Sequence, residues 1–153
     1  MNFEDVIGQS LLKTQLKQGI DSGRVPHAQL YVGKRGVGGL PIAIAYASYL
    51  TKQQSDGLGD MNTLTHPNIH FVYPVTTSEN VKSKPISSNY INEWRAFLET
   101  NPYGSINDWY SFIGVGNKQG VIGVEEASDI TSKMSLKAFN GGYKVMIIWM
   151  PEK

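Results

Sequence analysis

Gly33 and Gly38 bracket a G-x-x-x-x-G spacing inside "GKRGVGGLP" (Gly33–Pro41), the spacing of a loop that cradles phosphates. In a working loop of this kind a lysine follows the second glycine and reaches the β/γ phosphates. A Ser or Thr hydroxyl comes next and holds Mg²⁺. Gly39 and Leu40 occupy those two places, and Pro41 follows without a backbone N–H. Gly39 carries no charge, and Leu40 has no oxygen for a metal. The glycines, Gly36 among them, and a helix N-terminus still attract an anion weakly. Phosphoryl transfer from this loop is not expected.

The second place to look for chemistry is "KVMIIWMPEK". A P-loop NTPase has an apolar strand ending in one or two acids that hold Mg²⁺ and orient the attacking water. Here Val145–Ile148 is followed by Trp149 and Met150, and the next acid, Glu152, lies beyond a proline. Two separated positions thus lack the charged or coordinating group, which reads as a retired ATPase. The plainer alternatives are a glycine turn that serves packing alone and an ordinary core strand.

Other candidates are weaker. His66 and His70 in "HPNIH" are four apart, but Pro67 and strand-like surroundings spoil helical metal geometry. His27 reads as a structural histidine. Trp94, Trp109 and Tyr110 are able to stack on bases, yet their helical spacing favours core packing. Glu125 and Glu126 read as helix-start acids that complement the dipole rather than as a catalytic pair.

The elements that must position these residues follow from periodicity. Leu12, Leu16 and Ile20 predict a helix capped by Ser10 and stopped by Gly23. "AQLYVG" (28–33) predicts a buried strand. "PIAIAYASYL" (41–50) predicts a well-buried helix with Pro41 in its first turn. "QSDGLGDMNT" (54–63) reads as a polar loop, "NIHFVYPV" (68–75) as a second strand, and 76–89 as a mobile polar loop. Ile91, Trp94, Phe97 and Leu98 predict a short helix, and "INDWYSFIG" another. A helix from Val124 to a cap near Gly141 would bury Ala127, Ile130, Met134 and Ala138. "YKVMIIWM" reads as a third strand covered on both faces. This order predicts an α/β fold with a mostly parallel sheet.

At 153 residues, with 41% hydrophobic and 18% charged residues, the chain reads as one domain's worth of sequence, 1–153. A net charge of +1 gives no support for a basic nucleic-acid surface. Without cysteine there are no disulfides, thiol nucleophiles or cysteine-ligated zinc, which fits a cytoplasmic protein. "MNFEDVIGQS" is not a secretory signal, and "VMIIWM" is too short to span a bilayer. The chain stops directly after that apolar run, so a longer protein is expected.

Taken together, "FEDVIGQ", "SGRVPHAQLYVGKRGVGG", "HPNIHFVYPV" and "SLKAFNGGYKVMIIWMPEK" resemble the N-terminal AAA+ domains of bacterial clamp loaders, and within them the delta-prime subunits of DNA polymerase III. The resemblance covers nearly the whole chain and is loosest between Thr76 and Tyr110. It implies a P-loop, three-layer α/β/α fold, incomplete in this chain. Motor subunits of such loaders keep the loop lysine, the Thr and the acidic strand end, with a cysteine zinc module that this chain lacks. Gly39, Leu40, Trp149 and Met150 therefore resemble the non-hydrolysing subunit. That subunit is a comparatively rigid partner of the motor and delta subunits in DNA replication, reaching the sliding clamp and primer–template DNA through the complex. Its arginine that completes a neighbour's ATP site belongs to a motif beyond residue 153. Val6, Ile7 and Gly8, in "DVIG", match the side that lies against adenine. The implied cofactor state is none, or weak ATP/ADP binding. A further strand is implied between the Tyr31 and Ile147 strands, so those two edges are expected to close on each other or pair with another copy. An active nucleotide-switching motor and a stand-alone P-loop-like binding module remain the alternatives.

Overall fold

The computed structural model describes residues 1–53 and 61–153, so most of the polar loop expected at 54–63 lies outside the described residues. After a 3-10 turn at Phe3–Asp5 come α1 (Ser10–Asp21), α2 (Gly39–Lys52), a 3-10 turn at Thr63–Thr65 and β1 (Ile69–Val72). A 3-10 turn at Ser87–Tyr90 leads into α3 (Ile91–Thr100), followed by α4 (Ile106–Phe112), α5 (Val124–Ser135) and β2 (Val145–Ile148). Helices and strands mix along the chain, as in an α/β fold, and β1 and β2 form a two-stranded parallel sheet. The Val145 N–H donates to the Asn68 carbonyl and the Trp149 N–H to the Val72 carbonyl, both at 2.8 Å, four residues on in each strand. No helix among the described residues is long and apolar enough to cross a membrane.

The chain divides into two compact units. The first comprises Met1–Ile69 and Ala138–Val145. Its core joins Phe3, Val6, Ile20, Ile42, Ala45, Tyr46 and Leu50, with Leu12, Leu16, Tyr31 and Val145 against them. Gln9, in a left-handed conformation with φ of 56°, is the N-cap of α1, so Ser10 lies inside the helix rather than capping it. Gly23, at φ of 72°, lets the chain leave α1, as its position suggested. α2 starts two residues before Pro41, which places the proline third in the helix, where a backbone N–H has no intrahelical partner to lose.

The expected buried strand at 28–33 is corrected. Among the described residues this segment is extended but joins no sheet. Tyr31 turns inward, while Leu30 and Val32 are 79% and 86% exposed. The alternation of a strand is present; the ladder that turns an extended segment into one is not. Neither the closure of the two edges nor a fuller sheet is formed among the described residues.

Asn68 fixes the turn ahead of β2. Its side chain is buried, donating to the carbonyls of Phe139 at 2.9 Å and Gly141 at 3.4 Å and accepting from the Phe139 N–H at 2.6 Å. Replacing it by alanine is expected to lower unfolding free energy by about 2 kcal/mol, read in denaturant melts, because three partners are lost at once. A loss near zero would show that the turn holds without it.

The second unit comprises His70–Lys137 and Met146–Lys153. Its centre is aromatic. Tyr73 stacks on Trp94 with ring centroids 4.0 Å apart, and Trp109 meets the edges of both. α3 buries Trp94, Phe97 and Leu98 as its spacing predicts, and Ile91 is half-buried. α4 buries Ile106, Trp109 and Tyr110 behind a Ser105–Asp108 capping box. The Trp109 Nε1–H donates to the Pro74 carbonyl at 2.9 Å and the Tyr110 hydroxyl to that of Gly120 at 3.1 Å, so both rings are core members.

The expected stripe on α5 is also corrected. The helix ends at Ser135 with Leu136 as its C-cap, so Lys137, Ala138 and Gly141 lie beyond it. Ala127 and Met134 are exposed and Ile130 half-buried; the one fully buried residue of α5 is Glu126. β2 is likewise not covered throughout: Ile147 is buried and Ile148 is exposed.

Candidate functional site

The glycine loop lies in the first unit. Gly36 and Gly38 have φ of 77° and 91°, left-handed conformations that glycine adopts without strain. Gly38 is the N-cap of α2 and Gly39 its first residue. A Cβ on Gly33 would stand 2.6 Å from Val37 Cγ2, so a bare backbone there lets the loop turn back on itself. The loop thus runs from glycines through a tight turn into the N-terminus of a 14-residue helix.

Its side chains are used otherwise. Leu40, at the place of the metal-binding hydroxyl, is buried. Pro41 beside it is buried too, and Gly39 presents only backbone. The cations of the loop, Lys34 and Arg35, are exposed and precede the helix start by several residues. The arrangement offers an anion a helix N-terminus, and no oxygen ligand at position 40 for a metal.

The "DVIG" segment and the loop are brought together by a residue that spacing did not single out. The Gln9 Nε2–H donates to the Val37 carbonyl at 3.1 Å, tying the start of α1 to the loop. Gly8 is exposed at φ of 67° and Ile7 is exposed beside it. Val6 points the other way, into the core next to Phe3. Of the three residues matched to the adenine side, Ile7 and Gly8 are at the surface and Val6 is committed to packing.

Trp149 and Met150 lie in the second unit. The chain leaves β2 at Trp149, whose ring lies 5.3 Å from that of Trp94, and Met150 takes a left-handed conformation at φ of 56°. The Lys153 N–H closes this turn on the Met150 carbonyl at 3.1 Å. A side chain leaving the end of β2 therefore packs against an aromatic cluster. Glu152 follows in the exposed turn.

Several other polar groups have structural partners. The His66 Nδ1 accepts the Asn68 N–H at 3.1 Å, holding a turn, and burial pushes the pKa of this imidazole down. Among the described residues no three His, Cys, Asp or Glu side chains are grouped to hold a metal. Glu125 pairs at the surface with Lys84. The Lys133 ammonium donates to the Ser88 hydroxyl at 2.6 Å and forms an ion pair with Asp129.

Residues 8–153 match the sequence family described as DNA polymerase III, delta subunit. No curated protein and no solved structure matches the chain. The match takes in the glycine loop and, among the described residues, both strands and the five α-helices. By that match the chain belongs to the DNA polymerase III delta-subunit family, whose members are clamp-loader-related subunits.

Proposed function

We propose that the chain is a delta-prime-type AAA+ domain that hydrolyses no ATP and serves the clamp loader as a structural partner. The observation that carries this reading is the use of Leu40: the side chain at the metal-binding place of the loop is buried in the fold. Gly39 and the packed Trp149 agree with it. In this reading the loop retains the course of a P-loop within a three-layer α/β/α architecture, and its glycines now serve the fold. The partners are the motor and delta subunits, and through them the sliding clamp and primer–template DNA, in the cytoplasm. Family membership supports association with other clamp-loader subunits.

Calorimetric titration of the chain with ATP and with ADP, each with magnesium, is expected to give no heat of binding at micromolar nucleotide. Tight magnesium-dependent binding would overturn the reading, because another residue would have to replace the missing lysine. Co-purification with clamp-loader subunits is expected, and a failure to associate would favour a stand-alone binding module.

A further inference from the structure

Glu126 is the third residue of α5 and is fully buried, whereas its neighbours Val124 and Glu125 are exposed. A glutamate at this position ordinarily lies in water and complements the helix dipole. Here its Oε2 accepts the Ser87 N–H at 2.7 Å, and its Oε1 is buried with no hydrogen-bond partner. A carboxylate accepts through several lone pairs on two oxygens, so bonds from Ser87 alone leave an ionised Glu126 far short of the hydration it would have in water.

Ser87 is itself held by Tyr73. Its hydroxyl accepts the Tyr73 N–H at 3.0 Å and donates to the Tyr73 carbonyl at 3.1 Å. The Tyr73 hydroxyl donates to the Ser87 carbonyl at 2.7 Å. One serine thus ties the segment after β1 to the turn that enters α3, and Glu126 ties that serine to α5. An outer layer repeats the attachment, with the Ser88 hydroxyl donating to Asp129 at 3.1 Å and receiving Lys133.

We propose that Glu126 is a proton-bearing latch: as a neutral carboxyl it holds the Ser87 N–H, and on ionising it draws the first turn of α5 away from the 87–90 turn toward water. This goes beyond the clamp-loader reading and does not depend on it.

The charged and titratable groups around the latch act in both directions. Asp129, one turn along α5, disfavours ionisation, and Lys133, two turns along, favours it. Tyr73 faces the carboxyl from the segment after β1, and Glu93 and Arg95 of α3 act on Tyr73 with opposite signs. Glu125 is occupied with Lys84. Burial outweighs the Ser87 bonds and raises the Glu126 pKa above the ordinary glutamate value. An acid whose pKa is raised in the closed state favours closure fully below its ordinary pKa. That preference is lost as pH rises toward the raised value.

The test is amide hydrogen exchange at Ser87 in the full chain, from pH 4 to pH 9, corrected for intrinsic exchange. In the wild type, protection is expected to fall by up to roughly tenfold per pH unit above the ordinary carboxylate range, the slope of one proton, and then to level off. Glu126→Gln is expected to remove that slope, since its amide keeps the acceptor for Ser87 and carries no charge. Glu125→Gln, at the exposed neighbour, is expected to retain it. A Glu126→Gln profile that follows the wild type would overturn the proposal. Carbon-13 titration of the Glu126 carboxyl in the wild type decides the matter even if the variant does not fold. A midpoint at or below the ordinary glutamate value would overturn the latch, and a raised midpoint supports it.

Discussion

Trp94→Ala is expected to lower the unfolding free energy by about 3–5 kcal/mol, the range for removing a large aromatic side chain from a packed core. The indole is fully buried. It stacks on Tyr73 at 4.0 Å and 13°, and meets Trp109 at 5.1 Å nearly at right angles. It also touches the rings of Phe71, Phe97 and Trp149. Removing it leaves several aromatic faces without partners, and the surrounding rings are too rigid to collapse into the space. Its Nε1 is buried without a hydrogen-bond partner, so the polar part of the indole adds little stability. Trp94→Phe should therefore cost clearly less than Trp94→Ala. Denaturant unfolding followed by far-ultraviolet circular dichroism measures both. An alanine variant within about 1 kcal/mol of wild type would show that the cluster does not hold the second unit together.

Trp149→Asp is the second large effect, and it bears on the retired-site reading. It places an acid at the end of β2, where the proposed reading has a hydrolysing relative carry one. The new carboxylate would replace a half-buried indole that packs on Trp94, losing that contact and partly desolvating a charge. About 3 kcal/mol of destabilisation is expected near neutral pH. The penalty should shrink on acidification. A carboxyl whose pKa is raised by burial adds its stability below the ordinary aspartate value and loses it as pH rises through the folded one. ATP hydrolysis should stay at background. A variant as stable as wild type and able to hydrolyse ATP would show that the end of β2 is a working site lacking only its acid.

Much of this was legible because local signals and packing agree. α2 reads as buried from its apolar run and as a helix start from the glycines ahead of Pro41. α3 and α4 read from the spacing of Trp94, Phe97, Ile106 and Trp109. The loop and the strand end were singled out as candidates from spacing alone, since glycine pattern and missing charges are properties of sequence. The Tyr31 segment misled because a strand needs a neighbour, and an apolar run does not say whether one is present. The stripe on α5 misled for a related reason: period shows which residues share a face, and tertiary contacts decide which face is covered. Gln9 and Glu126 were beyond reach. A glutamine before a helix and an acid in a first turn are ordinary surface residues until the fold places Val37 or Ser87 beside them.

All three tryptophans of the chain, Trp94, Trp109 and Trp149, sit in the one aromatic cluster of the second unit. Intrinsic emission excited at the red edge therefore reports on that unit alone. The first unit, with Tyr31, Tyr46, Tyr49 and Tyr143 as its tyrosines among the described residues, is dark at that wavelength. A spectroscopist following tryptophan light would watch half of this protein melt, and a single smooth curve would not tell whether the other half had melted with it.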